Sequence, residues 1–236
     1  MKTAEQKKKQ GKENPHALLK DAKRVTYCER DYNDSAVETR GKSKIHCLSI
    51  IGQIEGHYIL PDGQKATKYE QLIPELVDIE EDDEIEGLLI ILNTMGGDVE
   101  AGMAIAEMIA SMKKPSVSLV LGGGHSIGVP LATAAKKSFI VSSATMTLHP
   151  VRVNGVVLGA PQTFNYFAEM QKRIVNFICA HSKASEQMIK ELLMRPDELA
   201  TDIGTIIEGR EAVEYGIIDR VGGLSDALAA LKEMKS

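Results

Sequence analysis

The sequence predicts an α/β fold built on a parallel sheet, and three observations carry that expectation. Two apolar runs of strand type, Leu88–Asn93 and Ser116–Leu121, each end in glycines and lead into a helical pattern. A further pair of short apolar runs, Phe139–Ser142 and Thr145–His149, follows the second helical pattern. The chain has 236 residues, 43% of them hydrophobic, a size and composition suited to one α/β domain with a substantial core.

Taken in order, residues 1–44 read as a basic, flexible N-terminal tail, with a short helix through Ala17–Arg24, and residues 45–236 as a single domain. Charge divides at the same place. The tail holds 12 Lys and Arg against 7 Asp and Glu and the remainder 16 against 26, giving +5 and −10 and so the net −5. A charged tail punctuated by Gly, Asn and Pro is expected to be solvated, and no motif that reads nucleic acid accompanies it. Ile45–Ile54 is a strand, and Pro61-Asp62-Gly63 a turn. Tyr69–Ile79 places Leu72, Ile73, Leu76 and Val77 at helical spacing, and the acidic run from Glu80 is its solvated end. Asp98 is an N-cap type residue before a helix that Pro115 stops. Arg152–Gly159, with Asn154-Gly155 between apolar pairs, reads as a hairpin or extended ribbon. Helices are expected over Gln162–His181, Ser185–Met194, Glu211–Tyr215 and Ser225–Lys235, with a strand over Ile217–Val221.

Several function classes drop out. The longest apolar runs are too short to span a bilayer, and the N-terminus lacks the apolar core of a secretory signal, so membrane insertion is not expected and a cytoplasmic location is. Cys28, Cys47 and Cys179 fit neither a disulfide framework nor a zinc site. No metal or other cofactor is expected.

The chemistry gathers between Ser118 and Pro150. Gly124-His125-Ser126-Ile127-Gly128 has the G-x-S-x-G form, in which a serine sits on a tight strand-to-helix turn with its hydroxyl exposed. Asn93-Thr94-Met95-Gly96-Gly97 ends the preceding strand, and in a parallel sheet both turns lie at the same edge. Gly96 and Gly97 can then present main-chain N–H groups near Ser126, as an oxyanion hole requires.

These segments, LNTMGGDVEAGMAIAEMI, GGGHSIG, TMTLHP and EAVEYGIIDRV in that order, resemble the Clp-type serine peptidases, with the translocation-enhancing branch of that family as the nearer match. The similarity runs from about Ile45 to Leu231. It implies a Clp/crotonase-like spiral of repeated β–turn–α units with a protruding oligomerisation helix, here Gln162–His181. It also implies a serine endopeptidase acting on peptides or unfolded proteins and linked to protein export or quality control. Ser126 matches the nucleophile and His149, before Pro150, the base, on a spacing two residues shorter than in the family. Register on EAVEYG puts Gly204 where the family has its acid, so Asp202, two positions earlier, is the expected acid. The order Ser, His, Asp separates the chain from α/β-hydrolases. The oxyanion donors are the N–H groups of Gly97 and Ile127, with Gly96 holding the turn, and Val151 and Val153 lie on the ribbon that pairs with substrate. Partners implied are a heptameric ring of the same chain and an ATPase unfoldase. The alternatives are a catalytically degenerate Clp-like scaffold or adaptor, kept open by the displaced acid, and a crotonase-like acyl-CoA enzyme, which the Ser126/His149 pair disfavours.

Overall fold

Five parallel strands form the sheet, in the order β2 (Ile45–Glu55), β4 (Gly87–Gly97), β5 (Ser116–Gly124), β6 (Lys137–Ile140) and β9 (Arg220–Val221). The structure, a computed structural model, describes residues 37–38, 45–153, 156–196 and 203–234. The described residues belong to one compact unit, 33–236. The expected Ala17–Arg24 helix and Cys28 lie outside the described residues. β1 (Val37–Glu38) pairs antiparallel with β2, and β3 (Ala66–Lys68) runs parallel to the end of β2. Consecutive strands lie side by side because each crossover returns the chain to the next position in the sheet, the right-handed β–α–β habit.

Strands covered on both faces read as continuous apolar runs, and β4 is one: Leu88, Leu89, Ile90 and Leu92 are all buried. Its even-numbered side chains enter the larger core beneath α1 (Tyr69–Glu81), α2 (Val99–Ser111) and α3 (Gly128–Thr133). On the opposite face Leu89, Val117, Leu119 and Phe139 meet Ala227, Ala230 and Leu231 of α7 (Leu224–Glu233). Asp98 caps α2, its carboxylate accepting from the Ala101 N–H at 2.8 Å. Glu80, in the acidic run, is tied down rather than merely solvated: its carboxylate accepts the N–H groups of Lys113 and Lys114 just past α2.

A smaller layer leaves the sheet at its site edge. β7 (Thr145–Leu148) pairs with β5 through Gly123 and Thr145, and antiparallel with β8 (Thr205–Glu208). The long helix α4 (Pro161–Ala180) starts with proline at its first turn, α5 (Glu186–Met194) is capped by Ser185, and α6 (Gly209–Glu214) follows β8. Only the C-terminal half of α4 enters the core, through Val175, Phe177 and Ile178; Phe164 and Tyr166 in its first half are 71% and 56% exposed. Among the described residues no helix is long and apolar enough to cross a membrane.

Two expectations need correction. The strand expected over Ile217–Val221 is confined to Arg220–Val221. Ile217 and Ile218 are buried in a bend, with both N–H groups bonded to the Ala212 carbonyl, so their apolar character reflects packing and not a ladder. Residues 151–153 and 156–160 form no strand, and Asn154-Gly155 lies outside the described residues. Valines separated by glycine have strand propensity but here no partner strand.

Candidate functional site

The site is assembled where β4 and β5 lose register. Pairing shifts between Gly52 and Gln53 on β2 and between Leu92 and Thr94 on β4, lifting the strand ends from the regular sheet. Thr94, 2% exposed, fills the break. Its hydroxyl donates to the Gly52 carbonyl at 2.6 Å and accepts the Gly96 N–H at 3.0 Å, while its carbonyl accepts the His125 N–H at 3.1 Å. One buried threonine thereby joins three turns. Asn93 closes the gap beside it, its Oδ1 accepting the Gly123 N–H at 3.0 Å.

Ser126 is the only non-glycine among the described residues at positive φ, 57°. Its N–H donates to the Thr147 carbonyl at 2.8 Å, and its carbonyl accepts the Val129 N–H at 3.0 Å. This left-handed conformation costs a residue with a Cβ about 1–2 kcal/mol, and such residues concentrate at functional sites. Gly96, at φ 89°, lies directly against it: a methyl group at Gly96 would stand 2.7 Å from Ser126 Cβ and 3.3 Å from its Oγ. Gly97 is pressed as tightly onto β2, where a methyl would meet the Ile54 carbonyl oxygen at 2.3 Å. Ile127, 2% exposed, is seated on α2 at Gly102, where a methyl would strike its Cγ1 at 2.4 Å.

His149 follows β7. Its Nδ1 lies 2.7 Å from the Pro150 carbonyl oxygen. A carbonyl can only accept, so Nδ1 carries a hydrogen, and in the neutral ring Nε2 holds the lone pair. Across the β7–β8 ladder, next to the Leu148–Thr205 pair, Gly204 abuts His149: a methyl there would be 2.4 Å from the Leu148 carbonyl oxygen and 2.8 Å from His149 Cβ. The position therefore admits no side chain as it stands. Asp202 lies outside the described residues.

Ser126 and His149 open into one cavity of about 390 Å³, shared with Gly96, Gly97 and Ile127. Val99, Val129, Leu148, Ile174 and Leu193 give part of its wall apolar side chains, and Gln53, Met95 and Arg152 also line it. Val151 lines it too; Val153 does not, and is 45% exposed. His125, next to the serine in sequence, turns away from the cavity. Its ring lies over Gly123, Nδ1 is 2.9 Å from the Thr147 hydroxyl, and burial holds the imidazole below the ordinary histidine pKa. Thr147 thus grips the serine turn twice, by its carbonyl and its hydroxyl. Among the described residues no three His, Cys, Asp or Glu side chains are placed to hold a metal ion, and Cys47 and Cys179 are free thiols.

Thr94, Thr147 and Gln171, which accepts the Val151 N–H at 2.8 Å, support the site without any motif that singles them out. The adjacency of Thr94 to Gly96-Gly97 was the one available signal. Thr94→Val keeps the shape but leaves the Gly96 N–H and the Gly52 carbonyl without the hydroxyl. We expect a loss of about 1–3 kcal/mol in stability, measured by urea unfolding. Parental stability in this variant would exclude the buried hydroxyl as the tie.

Comparison with known proteins agrees with this architecture. The profile of the family described as Clp protease matches residues 42–224. The chain is 58% identical over 193 residues to the translocation-enhancing protein TepA of Halalkalibacterium halodurans, covering 82% of this chain and 75% of the relative. It is 25% identical over 197 residues to the ATP-dependent Clp protease proteolytic subunit 1 of Protochlamydia amoebophila, covering 82% and 91%. In fold it is similar to a solved ClpP1 mutant from Listeria monocytogenes, with a TM-score of 0.60 and 22% identity, over 77% of this chain and 94% of that one. A serine turn and a histidine facing one cavity at the edge of this sheet are thus found in a chain that belongs to the Clp protease family.

Proposed function

We propose that the chain is a serine endopeptidase with Ser126 as nucleophile and His149 as general base. The observation that carries this reading is the pairing, in one cavity, of a serine at positive φ with a histidine whose Nε2 is free to accept a proton. Ser126 Oγ attacks the scissile carbonyl carbon as its proton passes to His149 Nε2. The oxyanion is met by main-chain donors. The Ser126 and Gly96 N–H groups are engaged by Thr147 and Thr94, so the donors are assigned to Gly97 and Ile127. Collapse expels the amine, which takes the proton back from the imidazolium. Water then hydrolyses the acyl-enzyme by the same proton path in reverse order. The motif register puts Gly204 at the acid position, and Asp202, two residues earlier, is the carboxylate alternative to the Pro150 carbonyl that accepts from His149 Nδ1.

The Val99, Ile174 and Leu193 side chains in the cavity support an apolar side chain at the cleaved bond. The exposed residues 152–153 and 156–159, which belong to no strand, support docking of an extended, unfolded segment by strand addition. The relative's name supports a setting in protein translocation, and the second relative's name an ATPase partner. Parental protein should react with a fluorophosphonate probe, with mass spectrometry locating the adduct on Ser126. Absence of both the adduct and peptide turnover in folded protein would favour a degenerate scaffold, the second reading, which the occluded Gly204 position supports.

Self-association is proposed through α4, whose exposed Phe164 and Tyr166 exceed what a solvated helix face needs. Light scattering should give about seven times the 25.7 kDa chain mass. A mass near that of one chain at micromolar concentration would remove the assignment.

A further inference from the structure

We propose that Gln171 of α4 is the positioning residue for His149, acting through a single peptide plane so that the Pro150 carbonyl does the orienting work of a carboxylate. The proposal rests on the reading of His149 as base. His149 Nδ1 donates to the Pro150 carbonyl oxygen at 2.7 Å, and the next N–H along the chain, that of Val151, donates to Gln171 Oε1 at 2.8 Å. These two groups are the opposite ends of one planar peptide unit. Rotating the Pro150 carbonyl away from His149 must swing the Val151 N–H away from Gln171. The proline ring already fixes φ on the near side of that unit, so the glutamine grips its remaining freedom. Donation by the N–H also polarises the carbonyl and strengthens its acceptance from the imidazole.

Two further observations select Gln171 for this role. It lies one helical turn before Ile174, which lines the cavity, so the residue belongs to the face of α4 that borders the site. Its Nε2 is buried without a partner. A buried unpaired amide is destabilising, a cost that an apolar residue of the same length would avoid. The oxygen is therefore the functional half of the side chain. Meanwhile the position facing His149 across the β7–β8 ladder is Gly204, where no carboxylate can be placed without displacing the Leu148 carbonyl or His149 itself.

The test compares Gln171→Met, which keeps length and removes the acceptor, with Gln171→Glu, which keeps an accepting oxygen. Imidazole ¹⁵N spectra of the full-length parent should show His149 as the Nδ1–H tautomer. Gln171→Met should show a mixture with the Nε2–H form, and Gln171→Glu should restore the parental spectrum. With a fluorogenic peptide, Gln171→Met should lower kcat roughly tenfold to a hundredfold, with KM changed less than about twofold and the thermal midpoint held, since misplacement of a reacting group acts on rate. Gln171→Glu should recover most of that loss. If a carboxylate such as Asp202 orients the ring instead, tautomer and kcat stay parental in Gln171→Met, and the proposal is overturned. Should methionine prevent folding, Gln171→Leu takes its place, with the same loss of the Nδ1–H tautomer expected and a parental tautomer overturning the proposal. Failure of the wider reading is distinct: the parent would then take no fluorophosphonate, whatever the spectra show.

Discussion

Ser126→Ala is expected to lower peptide turnover by roughly 10⁴- to 10⁶-fold while the protein folds and assembles as before. The hydroxyl is the attacking atom in the proposed mechanism, and nothing nearby replaces it. The turn itself depends on main-chain bonds, from the Ser126 N–H to Thr147 and from the Val129 N–H to the Ser126 carbonyl, and alanine retains both. A companion variant separates chemistry from strain. Glycine adopts φ 57° without the cost borne by a residue with a Cβ, so Ser126→Gly should be as inactive as alanine yet more stable by about 1 kcal/mol. A gain in stability on loss of activity is the mark of a conformation kept for function. Turnover of a fluorogenic peptide, fluorophosphonate uptake and thermal midpoint together check it. Cleavage by Ser126→Ala at the parental rate would show that another group attacks.

Much of this was readable from the chain. The parallel sheet followed from apolar runs ending in glycines, because a strand buried on both faces must be apolar throughout, as in Leu88–Leu92. Asp98 was readable as a cap, because the cap interaction spans only three residues and needs no tertiary context. Ser126 and its flanking glycines were readable because a tight turn leaves a local signature. What escaped depended on distant contacts. Thr94 bonds to Gly52, 42 positions away, and Thr147 to the turn at Ser126. Neither partner is implied by spacing. The acid is the sharpest case. Register alone set Gly204 at its position, and only the closeness of Gly204 to His149 showed why no side chain stands there. Gln171 looked like one polar residue on a helix; its engagement with Val151 arises from how α4 meets the segment after Pro150.

Gly96→Ala should disable the site from outside the set of reacting groups, and a matched control isolates the reason. Gly96 and Gly63 share φ 89°. At Gly63 a methyl group would meet nothing within 4 Å, whereas at Gly96 it would lie 2.7 Å from Ser126 Cβ, 2.9 Å from the His125 carbonyl oxygen and 3.3 Å from Ser126 Oγ. Gly63→Ala therefore carries only the cost of a left-handed alanine, about 1–2 kcal/mol, with turnover unchanged. Gly96→Ala carries that cost and also forces the serine turn away from the oxyanion donor at Gly97. Heavy atoms at 2.7 Å without a bond must separate by several tenths of an ångström. Gly96 and the Ser126 turn are each tied by hydrogen bonds, to Thr94 and to Thr147, so the separation moves one against the other and shifts the serine relative to Gly97. A displacement approaching 1 Å in a reacting group costs on the order of 10²-fold in rate. We expect kcat for Gly96→Ala to fall by about that factor or more, fluorophosphonate labelling to slow in parallel, and the thermal midpoint to fall further than in Gly63→Ala. Equal turnover and equal midpoints in the two variants would mean that the contact between Gly96 and Ser126 does not hold the nucleophile in place.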